Sequence, residues 1–142
     1  MARRTFTLET ARDMFRRDSL AEWIGFVPEA VSPDQVQARM TVTAGHIAPN
    51  GFLHASVLTA LADLACGAGA TAALPEDKLF ATLDIKTSFL GTVRQGDVLC
   101  TATARHKGVR TQVWDAEVSA ADGKILALFR CTQMILDRTL KS

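Results

Sequence analysis

Between residues 7 and 24 the apolar positions Leu8, Ala11, Phe15, Leu20, Trp23 and Ile24 recur among charges at the spacing of one helix face. Ser19, with Glu22 three residues on, has the form of a capping box, which predicts two short helices in this stretch. Next, Val36, Ala38, Met40 and Val42 alternate with Gln35, Gln37, Arg39 and Thr41, the signature of a half-buried strand. Turn formers over 45–51, including Pro49 and Asn50, lead into a long charge-poor helix that Pro75 stops. Beyond Pro75 the period changes to two. Strands are expected over 80–90, 98–105, 111–120 and 125–136, with turns at 91–96, 107–108 and 122–123.

The order helix, strand, long helix, then a run of strands predicts an α+β domain, an antiparallel sheet packed on one main helix. A length of 142 residues fits one such domain, with 1–30 expected as an N-terminal helical extension. The last strand, 125–136, is apolar on both parities except at Arg130, Thr132 and Gln133, so both sheet faces are expected to be covered there. One helix covers one face. A second subunit on the other predicts a dimer or tetramer.

A formal net charge of +1 argues against a dedicated nucleic-acid binder, which would carry a strongly basic face. Cys66, Cys100 and Cys131 lie in separate apolar segments without paired metal-ligand spacing and read as buried thiols in a reducing compartment. The start, Met1-Ala2-Arg3-Arg4, has no apolar signal core, so a cytoplasmic protein is expected. The stretch 54–74 is long enough to span a bilayer, but Asp63 at its centre among small residues fits a buried soluble helix better, and no membrane partner is expected.

Asp63 is the one ionised side chain between His54 and Pro75. A carboxylate in an apolar helix is costly without partners, and such groups are enriched at functional sites. Ser56, Thr59, Asp63 and Cys66 fall on one narrow polar stripe. An ordinary solvated face would carry Lys, Glu or Arg as well. Ser56 with His54 as a nucleophile and base is disfavoured, because residues two apart on a helix do not face each other. His46 and His106 are expected at the surface or in loops. Arg105, His106, Lys107 and Arg110 gather around the 107–108 turn, suited either to anionic groups or to plain solvation. With no metal ligand set and no glycine-rich nucleotide loop, no cofactor is expected.

The segment from Pro49 to Asp63 resembles that of the hotdog thioesterases of the phenylacetic-acid-degradation type. Gly51-Phe-Leu-His54 matches their Gly-x-x-His, and Asp63 stands nine residues after His54, where that family carries its catalytic Asp. Strand order and turn placement agree over 80–90, 111–118 and 123–136. The resemblance implies a hotdog fold and hydrolysis of acyl thioesters, with coenzyme A esters as the small-molecule partner. It implies a homodimer sharing its sites, and a dimer of dimers. The family's Gly-Gly after His is Ala55-Ser56 here, which leaves the Ala55 backbone N–H as oxyanion donor. The family's Asn falls at Ala48, so Asn50 is a substitute for orienting water or substrate, and Thr82 occupies the place of a strand hydroxyl near the reacting centre. Gly51, Ser56, Thr59, Arg105, Lys107, Arg110 and Thr111 complete the expected substrate contacts, the basic hairpin holding coenzyme A phosphates.

In this reading Asp63 activates water or attacks the carbonyl, and the Ala55 N–H at a helix start stabilises the oxyanion. A hydratase is disfavoured, since Asp63 is followed by Leu64, Ala65, Cys66, Gly67 and Ala68 rather than Asp-x-Asn-x-x-His. A non-catalytic acyl-binding module is the alternative that the Ala55-Ser56 departure raises. Eight residues of helix separate Ala55 from Asp63 by about 12 Å, so one carbonyl meets both only when two antiparallel helices come from two chains.

Overall fold

The computed structural model describes residues 5–16 and 19–140; Met1 to Arg4, read above for a signal core, lie outside them. Two short helices open the chain, α1 (Leu8–Met14) and α2 (Leu20–Ile24). Thr7 caps α1 by a reciprocal bond with Thr10, and Ser19 accepts from the Glu22 N–H at 3.3 Å to start α2. The expected helical extension to residue 30 is corrected here. Gly25, at φ +73°, ends α2, and Val27–Val31 is an edge strand, β1. Its five residues, with Pro28 and a bulge between Pro28 and Ala30, are too short and irregular to show an alternating pattern.

β2 (Gln35–Thr41), the long helix α3 (Ala55–Ala73), β3 (Lys78–Phe89), β4 (Asp97–Lys107), β5 (Thr111–Ala120) and β6 (Ile125–Asp137) follow, close to the expected bounds. All pairings are antiparallel, in the order β1-β2-β4-β5-β6-β3. β1 pairs with β2, and β4, β5 and β6 lie side by side in chain order, whereas β3 leaves its chain neighbours to pair with β6. The short segment after β3 crosses the end of the sheet, held where the Leu90 and Gly91 N–H groups donate to the Leu126 carbonyl and the Val42 N–H to that of Gly96. The sheet wraps α3 on one side, which is the hotdog arrangement.

α3 is long and apolar enough to cross a membrane by composition, and here it is the core helix. Leu58, Leu61, Ala62, Ala65 and Ala68 pack against Val36, Met40, Val98, Trp114 and Val118 of the inner sheet face. Gly69 lets the helix come down onto the Trp114 ring: a Cβ there would meet three ring carbons at 2.3–3.0 Å. Trp114 is fully buried, and its Nε1–H donates to Gln112 Oε1 at 2.8 Å. The three cysteines are free and buried, as expected. Burial lifts the Cys100 thiol to about 12, and contact with Cys131 together with burial raises Cys66, so these two are held as thiols.

Candidate active site

α3 begins at Ala55 because His54 takes the N-cap with extended backbone. A helix start leaves its first N–H groups without intrahelical acceptors. The Ser56 N–H donates to His54 Nδ1 at 3.2 Å and the Val57 N–H to the His54 carbonyl at 3.0 Å. The Ala55 N–H has no acceptor among the described residues. It points out of the positive end of the helix, where it suits a developing oxyanion. His54, Ala55 and Ser56 are all exposed.

The loop before the helix is braced from behind. Gly51 adopts φ +84°, a left-handed conformation open to glycine at little cost. The His54 N–H donates to the His46 carbonyl at 2.9 Å. His46 lies in the loop, one of its two expected places, but at 2% exposure it is buried rather than at the surface. Its Nδ1 accepts from the Thr43 N–H at 3.0 Å, and its Nε2 donates to the Trp23 carbonyl at 3.1 Å, so the ring ties the loop to α2. Asn50 is exposed, and its Oδ1 accepts from the Phe52 N–H at 3.1 Å, closing a local turn.

Asp63 sits two turns along α3, half-buried. No hydrogen bond or ion pair reaches its carboxylate among the described residues, and burial alone raises it above its usual 3.8. Two ties join α3 to β3. Thr59 and Thr87 share a hydroxyl contact at 3.0 Å, and Gly67 rests against the Phe80 ring. They bracket Asp63, which therefore lies beside the middle of β3, where residues 81–86 are all exposed. Thr82 is there, on the inner face, since it pairs with the buried Gln133 of β6. Leu83 and Ile85 nearby are 56% and 46% exposed.

The structure thus sets Asp63 and Thr59 on the part of α3 that faces β3, with Thr82 on the inner face of that strand, and His54, Ala55, Ser56, Asn50 and Gly51 at or just before the helix start. The polar stripe does not continue, because Cys66 turns wholly into the core. Ser56 and His54 do meet, with Oγ 2.6 Å from Nδ1. The i, i+2 argument fails because His54 is the extended cap rather than a helical residue.

The basic hairpin is largely engaged within the chain. Lys107 is ion-paired with Asp34, and Arg105 lies 3.6 Å from Asp115, whose main partner is Arg130 at 2.6 Å. The Arg130 hydrogen bonds hold Asp115 below the usual carboxylate value. Arg110 is exposed and has no ion pair among the described residues, and Thr111 starts β5 beside it. A trough of about 650 Å³ on the outer sheet face is lined by Lys86, Thr103, Arg105, Glu117, Leu128 and Arg130. Its sheet face is opposite to that of Asp63, and within it Arg130 and Arg105 are already paired with Asp115.

A thioesterase superfamily profile matches residues 50–127, from the loop before α3 into β6. The 1,4-dihydroxy-2-naphthoyl-CoA hydrolase of Listeria monocytogenes is 33% identical over 113 residues, 80% of this chain and 92% of the relative. The acyl-coenzyme A thioesterase PaaI of Escherichia coli is 33% identical over 129 residues, 86% of each chain. A solved thioesterase from Haemophilus influenzae superposes with a TM-score of 0.90 at 29% identity, covering 98% of this chain and 96% of that one.

Proposed function

Since the chain belongs to the thioesterase superfamily, we propose that it hydrolyses an acyl thioester of coenzyme A to free acid and thiol, at sites shared between two copies. The observation that carries this is the pairing of an unpartnered, half-buried Asp63 with an uncapped Ala55 N–H on one helix. Eight residues place them about 12 Å apart. A second α3 running antiparallel brings the Asp63 of one copy beside the Ala55 N–H of the other.

β3 supplies the means. Its second edge is unpaired, and Leu83, Ile85 and Phe89 are 56%, 46% and 48% exposed beside Asp63. Pairing of β3 with its copy covers this apolar strip and places the two helices side by side. A second dimer stacking on the outer sheet faces would cover Leu99 and Leu128 around the trough, giving a dimer of dimers.

In each site Asp63 acts as general base on water or as nucleophile on the carbonyl carbon, and the Ala55 N–H receives the oxyanion. His54 and Thr82 contact the reacting group from the helix start and the strand. Gly51, Ser56 and Thr59 line the approach, and Arg110 holds coenzyme A phosphate. Because α3 begins at Ala55 despite the loss of Gly-Gly, the donor is kept and a merely acyl-binding role is disfavoured. The two relatives named as CoA-ester hydrolases support the substrate class. The three free thiols suit the reducing cytoplasm, where we place the protein.

The test mixes two inactive variants. Asp63→Asn removes the carboxylate at constant shape, and Ala55→Pro removes the N–H at the first helical position, where proline is tolerated. In a mixed dimer one site carries both lesions and the other carries neither. Co-expression should therefore restore acyl-CoA hydrolysis that neither variant shows alone. Verified but inactive heterodimers refute shared sites. Retention of more than about a tenth of wild-type turnover by Asp63→Asn removes Asp63 from the chemistry, given the 10²–10⁴-fold contribution of acid–base groups.

A further inference from the structure

Resting on that reading of the site, we propose that Ser56 is a positioning residue: it fixes the His54 ring with Nδ1 as acceptor, so that Nε2 presents an N–H to the reacting thioester. Two contacts carry this. The Ser56 backbone N–H reaches His54 Nδ1 at 3.2 Å, and the Ser56 Oγ reaches the same nitrogen at 2.6 Å. A backbone N–H can only donate, so Nδ1 is the unprotonated nitrogen of the neutral ring. The hydroxyl then donates to the same lone pair, so that Nδ1 takes a bifurcated contact from the Ser56 N–H and Oγ–H, and the ring's proton resides on Nε2, on the opposite side of the imidazole. Two donors from one residue set both tautomer and ring orientation.

The role of Ser56 is distinct from that of a nucleophile. Its hydroxyl proton points at a nitrogen that the Ser56 amide already occupies, and among the described residues no carboxylate contacts Nε2 to support His54 as a base. Where the resemblance calls for a second glycine after the His, a glycine could give only the backbone half of the contact. The substitution that looked like a weakening of the motif supplies a second anchor for its histidine.

The experiment compares Ser56→Ala, Ser56→Thr and His54→Ala, with Asp63→Asn as reference, all checked by thermal melting for retained fold. Nitrogen-15 spectra of the His-labelled wild type should show His54 as the Nε2–H tautomer. A ring protonated at Nδ1 overturns the proposal. Ser56→Ala should lower kcat about tenfold with KM nearly unchanged, the effect of one lost hydrogen bond felt in the transition state. Ser56→Thr, which keeps the hydroxyl, should recover most of that loss. In a His54→Ala background Ser56→Ala should have no further effect, because the two act as one unit.

Wild-type kcat in Ser56→Ala, with Asp63→Asn inactive, refutes the Ser56 role and leaves the active-site reading standing. Turnover in Asp63→Asn refutes that reading itself. Complete loss in Ser56→Ala, with an acyl group found on Ser56 in quenched wild type, makes Ser56 the nucleophile and overturns the proposal.

Discussion

Replacing Gly69 by alanine adds one methyl group where the core has no room for it. The new Cβ would lie 2.3, 2.6 and 3.0 Å from three carbons of the Trp114 ring. Ordinary contact between carbons needs about 3.5 Å, so ring and helix must separate by roughly 1.2 Å. The ring has little freedom to yield, being fully buried and held by its Nε1–H on Gln112. Overpacking of this kind costs about 1–3 kcal/mol, and three clashing ring atoms place it at the upper end. Alanine returns about 1 kcal/mol through helix propensity. The net expectation is a loss of about 2 kcal/mol, read as the denaturant midpoint times its slope at fixed protein concentration. Gly67→Ala is the matched control on the same helix. Its Cβ would meet only the tip of the Phe80 ring at 3.2 Å, the far end of a half-buried side chain that can turn aside, so propensity should win and the variant should be neutral or slightly stabilised. A Gly69→Ala protein as stable as wild type, or equal shifts in both variants, would refute the reasoning. Since Asp63 rides on the same helix, Gly69→Ala should also lose turnover, as a displacement of 1 Å can cost about 10²-fold.

Burial raises Asp63 above its ordinary 3.8, so between those two values the folded chain holds a proton that the unfolded chain has released. The charge of Asp63 therefore lowers stability as pH rises through that window and has no effect below it. Asp63→Asn should match wild type in acid and become the more stable protein toward neutral pH, in urea midpoints measured across the range; a gap that fails to widen with pH contradicts the assignment. Arg110→Ala should raise KM for a coenzyme A ester about tenfold, the worth of a charge-assisted hydrogen bond, while leaving a short thioester without the nucleotide unaffected. Lys107→Ala should do less, because Asp34 already holds that ammonium, and equal effects on both substrates would count against phosphate contact.

Local pattern was enough for α3 and for five of the strands, because each runs long with a clean period of 3.6 or 2. β1 escaped, since five residues with a proline and a bulge have no period to detect. The strand order escaped as well. Turn signals mark where strands end, not which strand lies beside which, and β3 leaves its chain neighbour β4 to pair with β6. Asp63 was legible as the lone charge in an apolar helix, whereas the burial of His46 depends on Thr43 and Trp23 arriving from two other elements. Gln133 marked the last strand as interrupted, but only the pairing with Gln112 and Thr82 shows that it points inward. The Ser56–His54 contact hinged on where the helix starts. A boundary moved by one residue turns a pair that cannot meet into one that does.

The two borders of the sheet are unequal, and this bears on how growth of an assembly ends. β1 is five residues long, carries Pro28 without an N–H, bulges beside it, and gives the Pro28 carbonyl to Arg12 at 3.2 Å. It is a blunted rim. β3 offers twelve residues with a whole side of backbone groups unengaged. A sheet open on both sides can recruit copies without end, as in a fibre. One with a single open side is satisfied by one copy of itself, because the rim that recruits is the rim consumed. On the proposed β3 pairing, edge-to-edge growth would stop at two copies, and damage to the β1 rim, such as loss of Pro28 together with Arg12, would be felt first as uncontrolled association rather than as loss of catalysis.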